Sequence, residues 1–529
     1  MICVIGSGPA GVACASALLE KGAQVTMLDA GLELEPSRQR QLANLQSVAF
    51  TSWDEASLRF LREGVEVSSG GGIPLKLVYG SDFPYRDPIG QPITAEGVHG
   101  KPSFARGGLS NVWGASVLPY RTKDMSGWPI TAEDLAPHYR AVLQMMPFSG
   151  RHDRLEEQFP LYHDQPGVLA GSSQAAGFLH DLEINEPALT ARGMRFGAAR
   201  LALQAEVAGG KPGCVYCGKC IYGCPYELIY NSSHSLEQLR TNRAFTYRAG
   251  VVVEQLREFA SQVEVRGRVL GDNGAFQVRS DKAFLACGVF STARVMLTSL
   301  DAFDHPIHAA DNCYFLLPLL RYRSQAGVPE EPLYTLAQVF VELVDPAIGE
   351  QASHLQVYTY NELFGKEIQR FLGPFDRLLP GAARRSLLGR LLLIQGYLHS
   401  DLSARIRITL RRGTQDHPAA LELAGVGNPR MRPALSALRR RLWAERSSMK
   451  AFPISPAMRV GEPGRGFHTG GTFPMRLNPA AFEVDVLGRP NGFSNVHLVD
   501  ASVFPSLPAT TITLSVMANA HRIGTAAIA

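Results

Sequence analysis

Residues 2–31, ICVIGSGPAGVACASALLEKGAQVTMLDAG, decide the fold, because they have the order strand, glycine turn, helix and strand. Gly6 permits the tight turn, Gly8 lets the backbone approach a pyrophosphate, and Gly11 lets the helix pack closely on the strand. Asp29 stands where such folds place a carboxylate for a ribose hydroxyl. We therefore predict a doubly wound α/β domain with a dinucleotide site formed by Gly6, Gly8, Pro9, Ala10, Gly11 and Asp29.

The bulk composition is that of a globular protein with no basic excess. The chain has 529 residues, of which 45% are hydrophobic and 19% charged, and its net charge is +4. So small an excess gives no case for nucleic-acid binding. The first strand begins too early for a secretory signal, and no run of about 18 apolar residues could span a membrane. We expect a cytoplasmic protein whose eight cysteines stay mostly reduced.

Four further motifs follow along the chain. They are FARGGLSNVWG at 104–114, FLACGVFSTARVML at 284–297, HTGGTFPM at 468–475 and VDASVFP at 499–505. The paired glycines of the first motif indicate backbone that passes close to a flat or charged group. The second motif predicts a buried strand, a glycine turn and a helix. Without repeats or a low-complexity linker, we expect interleaved domains.

In this order, with the dinucleotide segment, the motifs resemble those of the glucose-methanol-choline (GMC) flavoprotein oxidoreductases. The resemblance implies FAD, bound noncovalently because the chain has Val112 where some relatives carry a flavin-linked histidine. It also implies a Rossmann-like FAD-binding domain interleaved with an α+β substrate-binding domain. The implied division is FAD-binding at 1–150, 244–300 and 461–529, a cap with the cysteine run at 151–243, and substrate binding at 301–460.

The resemblance also implies which residues bind the cofactor and perform the chemistry. His468 matches the family's active-site histidine, and a base with a pKa near the operating pH suits removal of a hydroxyl proton. The family usually has a second His or Asn where this chain has Thr510 or Thr511, and a threonine is not a comparable base. Further cofactor contacts are implied for Gly108, Ser110, Asn111, Val252, Asp500, Ala501, Thr511 and Ile512. We take His468 and Thr511 as the catalytic candidates.

A run of four cysteines is the second chemical signal. Cys214, Cys217, Cys220 and Cys224, followed by proline, have the spacing of ferredoxin ligands. They also resemble a segment of membrane-associated sugar dehydrogenases of the same family that hold an iron–sulfur cluster. In two-cluster ferredoxins, however, the fourth cysteine serves another cluster, and no second run exists here. An iron–sulfur cluster, a zinc site and a loop of free thiols all remain open.

Residues 365–397 are basic and strongly apolar. One interpretation is an interfacial helix on an anionic membrane or a lipid-like substrate, which would make the protein peripherally membrane-associated. The other is a helix pair that covers the core and is broken by Pro374 and Pro380. Residues 334–345 and 354–360 predict strands of another layer.

The sequence therefore predicts an enzyme. The leading hypothesis is an FAD-dependent dehydrogenase that oxidises a CH–OH group of a sugar, polyol or other alcohol and passes electrons to an external acceptor. One alternative is an oxidase that uses oxygen. Another is a catalytically silent flavoprotein with a binding role, because Thr511 stands where a second His or Asn is usual.

Overall fold

A computed structural model of the chain describes residues 1–64, 73, 75–210, 212–373, 378, 380–414 and 418–528. The strands are β1 (Ile2–Ile5), β2 (Val25–Leu28), β3 (Ile93–Glu96), β4 (Met194–Ala198), β5 (Phe245–Arg248), β6 (Val251–Phe259), β7 (Gln262–Val269), β8 (Ala275–Ser280), β9 (Lys282–Leu285), β10 (Pro306–Asp311), β11 (Cys313–Arg321), β12 (Val339–Leu343), β13 (Ser353–Tyr358), β14 (Leu391–Leu398), β15 (Arg405–Arg411), β16 (Ala420–Val426), β17 (Ala451–Pro453), β18 (Arg459–Val460), β19 (Thr469–Gly470) and β20 (Val496–Leu498). The helices are α1 (Pro9–Glu20), α2 (Pro36–Gln46), α3 (Glu55–Arg62), α4 (Ala132–Leu143), α5 (Ser173–Ile184), α6 (Glu186–Ala191), α7 (Ser232–Leu239), α8 (Val289–Ser299), α9 (Glu362–Leu372), α10 (Gly381–Arg390), α11 (Met431–Ala444), α12 (Arg446–Met449) and α13 (Thr513–Ala526).

The segment that begins the chain forms the centre of a five-stranded parallel sheet of order β20-β9-β1-β2-β5. All four residues of β1 are buried, as expected for a parallel strand covered on both faces. Helix α1 packs against α13, α13 packs against α4, and α8 packs on β6 of a three-stranded antiparallel sheet. The strand, turn, helix and strand predicted from residues 2–31 are all present.

Two glycines are sterically required at the centre of this sheet. Gly6 has φ of +102°, and a Cβ there would lie 2.6 Å from the carbonyl oxygen of Ala286. A Cβ on Gly11 would lie 1.9 Å from the carbonyl oxygen of Gly6. Both distances are shorter than any carbon–oxygen contact, so the turn and the helix can meet only without side chains.

A second, seven-stranded sheet has the order β17-β11-β14-β13-β12-β4, with β18 also paired to β11. Its side chains alternate between two faces. One face joins α5 and α11 in an apolar core that includes Phe178, Phe315 and Leu438. The opposite face, which we call the polar face, carries Glu342, His354, Gln356, Gln395 and Tyr397.

A third sheet has the strand order β19-β10-β15-β16-β3. Its short strand β19 pairs antiparallel with β10, which places Thr469 opposite Asp311. The residue before β19 is His468, so this pairing fixes where the catalytic candidate lies.

The α/β fold class with several sheets is confirmed, and β12 and β13 occupy the predicted strand regions. The helical prediction for 365–397 is correct for α9 and α10 but wrong for Leu391–Leu398, which form the inner strand β14, paired with both β11 and β13. A short apolar run fits a buried strand as well as a helix, and here cross-strand pairing decides. Pro374 lies outside the described residues. No helix in the described ranges has the length and hydropathy needed to cross a bilayer.

Candidate active site

A cleft extends from the glycine turn of residues 2–31 to the C-terminal motifs. Of the predicted cofactor contacts, the lining contains Gly6, Gly8, Pro9, Ala10, Asp29, Gly108, Val252, Asp500, Ala501 and Ile512. It also contains Phe467 and Thr469, the neighbours of His468. The fold therefore brings together segments that are separated by nearly the whole chain.

Asp29 lies at one end of the cleft and is held by two hydroxyl groups. Ser7 Oγ donates to Asp29 Oδ2, and Tyr247 Oη donates to the same oxygen at 2.9 Å. Burial raises the pKa of Asp29 to about 6, and the two hydrogen bonds oppose that rise. The other carboxylate oxygen can accept a hydrogen bond from a ligand hydroxyl.

The N-terminus of α1 is open toward the cleft. Its N-cap, Gly8, has no capping side chain, and a Cβ at Gly8 would meet no protein atom within 4 Å. Helix N-terminal amides that lack protein acceptors bind phosphate groups well. The space beside Gly8 and the free amides of α1 therefore fit the pyrophosphate of a dinucleotide.

Asp500 lines the cleft, but its carboxylate is engaged by the protein. Oδ2 accepts from Gly288 N at 2.9 Å and from Thr292 Oγ1 at 2.5 Å, while Oδ1 accepts from Ser502 N at 2.9 Å. Burial raises the pKa of Asp500, and these hydrogen bonds oppose the rise. Asp500 thus joins the turn before α8 to the end of β20.

Thr511 is placed differently from its neighbour Ile512. Ile512 caps the N-terminus of α13 and lines the cleft, whereas Thr511 Oγ1 accepts the backbone N–H of Leu118 at 3.1 Å. The Thr511 side chain is buried and absent from the cleft lining. Its hydroxyl therefore holds a backbone segment in place.

Ser110 and Asn111 also lie outside the cleft lining. Ser110 Oγ donates to Gly107 O at 2.6 Å, and Asn111 Nδ2 donates to Gly108 O at 2.7 Å. Asn231 Nδ2 donates to Asn111 Oδ1 at 2.5 Å. These side chains fix the glycine loop of 104–114, and Gly108 of that loop reaches the cleft.

His468 follows Phe467, whose φ of +54° is uncommon for a residue with a side chain. The His468 ring is stacked on Tyr397, with centroids 4.6 Å apart and planes 21° apart. Its Nδ1 is enclosed and has no hydrogen-bond partner among the described residues. Burial, with a smaller contribution from His354, lowers the pKa of His468 to about 3. The imidazole is therefore neutral at physiological pH, but its pKa lies well below the near-neutral value expected of the base.

Asp311 holds the turn that carries His468. Its Oδ2 accepts from Gly464 N at 2.9 Å and its Oδ1 accepts from Thr469 Oγ1 at 2.9 Å, so one carboxylate ties both sides of the turn. Burial raises the pKa of Asp311 to about 7. The next residue, Asn312, donates its backbone N–H to His468 O at 3.3 Å.

The four cysteines of the run share one neighbourhood without forming a metal-binding group. Within the described ranges, no three His, Cys, Asp or Glu side chains are arranged to hold a metal ion. Burial raises the pKa of Cys214 to about 12 and that of Cys224 to about 11. All eight cysteines are free thiols. The structure thus gives no support to the predicted cluster or to zinc.

Comparison with known proteins agrees with this architecture. Residues 407–520 match the family model for GMC oxidoreductases. Pyridoxine 4-oxidase from Mesorbium loti has the same fold, with a TM-score of 0.56 at 16% identity over 99% of this chain and 98% of that one. Formate oxidase aligns with a TM-score of 0.60 at 12% identity over 99% of this chain and 97% of that one.

Residues 407–520 of this chain therefore form a GMC oxidoreductase family domain.

A curated protein similar to this chain is the 6'''-hydroxyparomomycin C oxidase of Streptomyces lividus. The two are 25% identical over 314 residues, which is 56% of this chain. The alignment spans 50% of the length of that relative. The resemblance to the GMC oxidoreductases that the sequence motifs predicted is therefore supported by the family model over 407–520, and the fold by the structural neighbours.

Sequence reasoning missed Asp311 and the residues of the polar face. Asp311 ends one strand and His468 precedes another, and 156 intervening residues hide their proximity. Tyr397 lies in the apolar run predicted as helix. The one available signal was its alternation with Gln395 in a run of otherwise apolar residues, the period of a strand with one polar face.

Proposed function

We propose that this protein is an FAD-dependent oxidoreductase that oxidises a CH–OH group of a small molecule. The observation that carries the proposal is the continuity of the cleft, which is lined by Gly6 and Asp29 at one end and by the neighbours of His468 at the other. A dinucleotide with its adenosine beside Asp29 would extend along this cleft toward His468. Bound FAD would supply a two-electron acceptor for a hydride.

The protein's own groups have separate tasks in this proposal. Gly8 and the amides of α1 bind the pyrophosphate, and Asp29 accepts a hydrogen bond from the ribose. The N-terminal amides of α13 favour negative charge near Ile512. His468, neutral because its pKa is lowered, accepts the hydroxyl proton of the substrate at its lone pair as the carbonyl forms.

The first experiment identifies the cofactor. Denaturation of the purified protein should release FAD into solution, because nothing in the described residues calls for a covalent link. Protein that is colourless after expression, and that gains no flavin spectrum when mixed with FAD, would contradict the proposal. The same preparation, isolated without oxygen, can be analysed for iron and sulfide, which we expect to be missing.

The electron acceptor needs its own test. The sequence favoured an external acceptor, but the three relatives named above are all oxidases by name, and this favours oxygen. We therefore propose direct reoxidation by oxygen as the second candidate. Stoichiometric peroxide without an added acceptor would establish the oxidase, and slow peroxide with fast reduction of an artificial quinone would establish the dehydrogenase.

A further inference from the structure

One row of side chains on the polar face leads to the catalytic candidate. Strands β12, β13, β14 and β11 place Glu342, His354, Tyr397 and Tyr314 opposite one another in register. All four are buried. His468, whose neighbours Phe467 and Thr469 line the cleft, is stacked on the Tyr397 ring of this row.

The stacking geometry suits a charge that appears during the reaction. A ring centroid separation of 4.6 Å with planes 21° apart puts the His468 imidazole over the face of Tyr397. That face carries the negative end of the ring quadrupole, which attracts cations. A protonated His468 therefore gains more from the contact than a neutral one does.

His468 has few other means of support when it carries a proton. Nδ1 is enclosed without an acceptor among the described residues, and a buried unpaired donor costs about 1–3 kcal/mol. Thr511, one of the two threonines at the position of the family's second acid–base residue, has its hydroxyl occupied by Leu118 N. Tyr397 provides the aromatic ring that stacks on the imidazole.

The Tyr397 ring is itself held from two sides. Gln395 Nε2 donates to Tyr397 Oη at 2.6 Å, and His354 stacks on the ring at 6.4 Å with planes 20° apart. His354 Nδ1 is hydrogen-bonded to Glu342, which fixes the orientation of His354. The stack therefore has a preset geometry before any substrate arrives.

We propose that Tyr397 is the positioning residue of His468 and that its ring face stabilises the proton that His468 receives. The inference rests on the proposed function. The substrate O–H bond breaks and its proton passes to the His468 lone pair. The hydride leaves the carbon with its electron pair for the flavin, so that a carbonyl product forms. Tyr397 takes the place of a second acid–base side chain by stabilising charge without exchanging a proton.

The test is a series of substitutions at position 397 that keep the shape of the side chain nearly constant. Tyr397→Phe is the reference, and phenylalanines with one, two and three ring fluorines at 397 weaken the negative face stepwise. We expect kcat to fall progressively, by about 3- to 30-fold in total, with KM unchanged. The acid limb of the kcat profile should move to lower pH along the series, since a less supported imidazolium is a stronger acid.

The pH profile is interpretable because the facing groups are known. They are His354 and Glu342 of the sheet, Tyr314 and Tyr358 near Tyr397, Arg465 of the turn before His468, and Asp311, which holds that turn. The flavin spectrum and reduction potential should stay constant through the series. The same fluorinated residues at 314, whose ring contacts Tyr397, should leave kcat unchanged.

A flat series at 397 would overturn the inference, as would an equal fall at 314. Tyr397→Leu gives a second reading, because it removes the ring face and should lower kcat at least as far as the trifluorinated residue. A Tyr397→Leu protein with unchanged kcat would also overturn the inference. If no alcohol reduces the wild-type flavin, the proposed function itself fails, and this outcome is distinct from reduction with a flat series.

Discussion

The five-stranded and seven-stranded sheets contribute to the candidate site in opposite ways. Beside the five-stranded sheet the cleft is made by backbone, and Gly6, Gly8 and Gly11 serve because they lack side chains. The seven-stranded sheet instead supports His468 through side chains from strands far apart in the chain, among them His354 and Tyr397. The first kind of site leaves a compact sequence motif, and the second becomes visible only through strand register.

The largest expected effect is on the rate of flavin reduction when His468 is replaced. Replacement His468→Gln should lower the rate of flavin reduction about 10²- to 10⁴-fold, because the proton acceptor is lost. FAD should remain bound, since the glycine turn is untouched. Stopped-flow absorbance measures both. The control is His497→Gln, another buried histidine, which stacks on Phe284.

His497→Gln should change stability and leave the reduction rate near that of the wild type. A His468→Gln protein whose rate stays within about threefold of the wild type would remove His468 from the proton-transfer role.

The glycine turn before α1 can be tested with two separate alanine substitutions. In Gly11→Ala the new Cβ would lie 1.9 Å from Gly6 O, so the helix must move off the strand. We expect a loss of stability at the upper end of the 1–3 kcal/mol typical of overpacking, or more. In Gly8→Ala the Cβ meets no protein atom within 4 Å, so the fold should persist while FAD affinity falls.

Thermal unfolding of the apoprotein and FAD titration separate the two effects. If Gly8→Ala binds FAD as tightly as the wild type, the pyrophosphate does not lie beside Gly8.

Asp311 holds the turn that carries His468, and its raised pKa should make the stability of the protein depend on pH. Its pKa in the folded protein is about 7, above the unfolded value of about 4, so the folded state holds the proton more tightly. The protein should therefore lose stability as pH rises from about 4 to about 7, by roughly 4 kcal/mol at most. Asp311→Asn should flatten this part of the stability curve, as measured by denaturant unfolding across that pH range. An identical slope in both proteins would contradict the assignment.

Replacement of Thr511 should have the smallest effect on catalysis. Thr511→Val removes the acceptor for Leu118 N and should cost about 1–3 kcal/mol of stability, with kcat changed less than about threefold. Thr511→Ser keeps the hydroxyl and serves as the matched control. A large fall in kcat with stability unchanged would instead restore Thr511 as a catalytic residue.

The sequence predicted the strand, turn, helix and strand of residues 2–31 correctly because that unit is local. The turn, helix α1 and Asp29 follow one another within 31 residues, and each has a propensity or steric requirement of its own. His468 came from its motif, but its surroundings did not. Strand β14 was not recognised because it lies within an apolar run. Asp311 and Tyr397 reach the His468 turn only through pairing of strands that are distant in the chain.

The cysteine run shows the limit of spacing as a guide. The four thiols have ferredoxin spacing, but no metal-binding group forms among the described residues. The spacing of cysteines in the sequence indicates which metals a loop could bind. The fold determines how far apart the sulfur atoms lie. The same reasoning applies to Ser110 and Asn111, whose side chains fix the loop that reaches the cleft.

We propose that one cleft holds a flavin dinucleotide with its reactive end beside His468. The decisive experiment is anaerobic addition of a panel of alcohols and sugars to the purified, FAD-loaded protein. At least one substrate should bleach the oxidised flavin band stoichiometrically, and His468→Gln should abolish bleaching on the same timescale. A protein that binds FAD but is bleached by no member of the panel, or is bleached equally fast without His468, would contradict it.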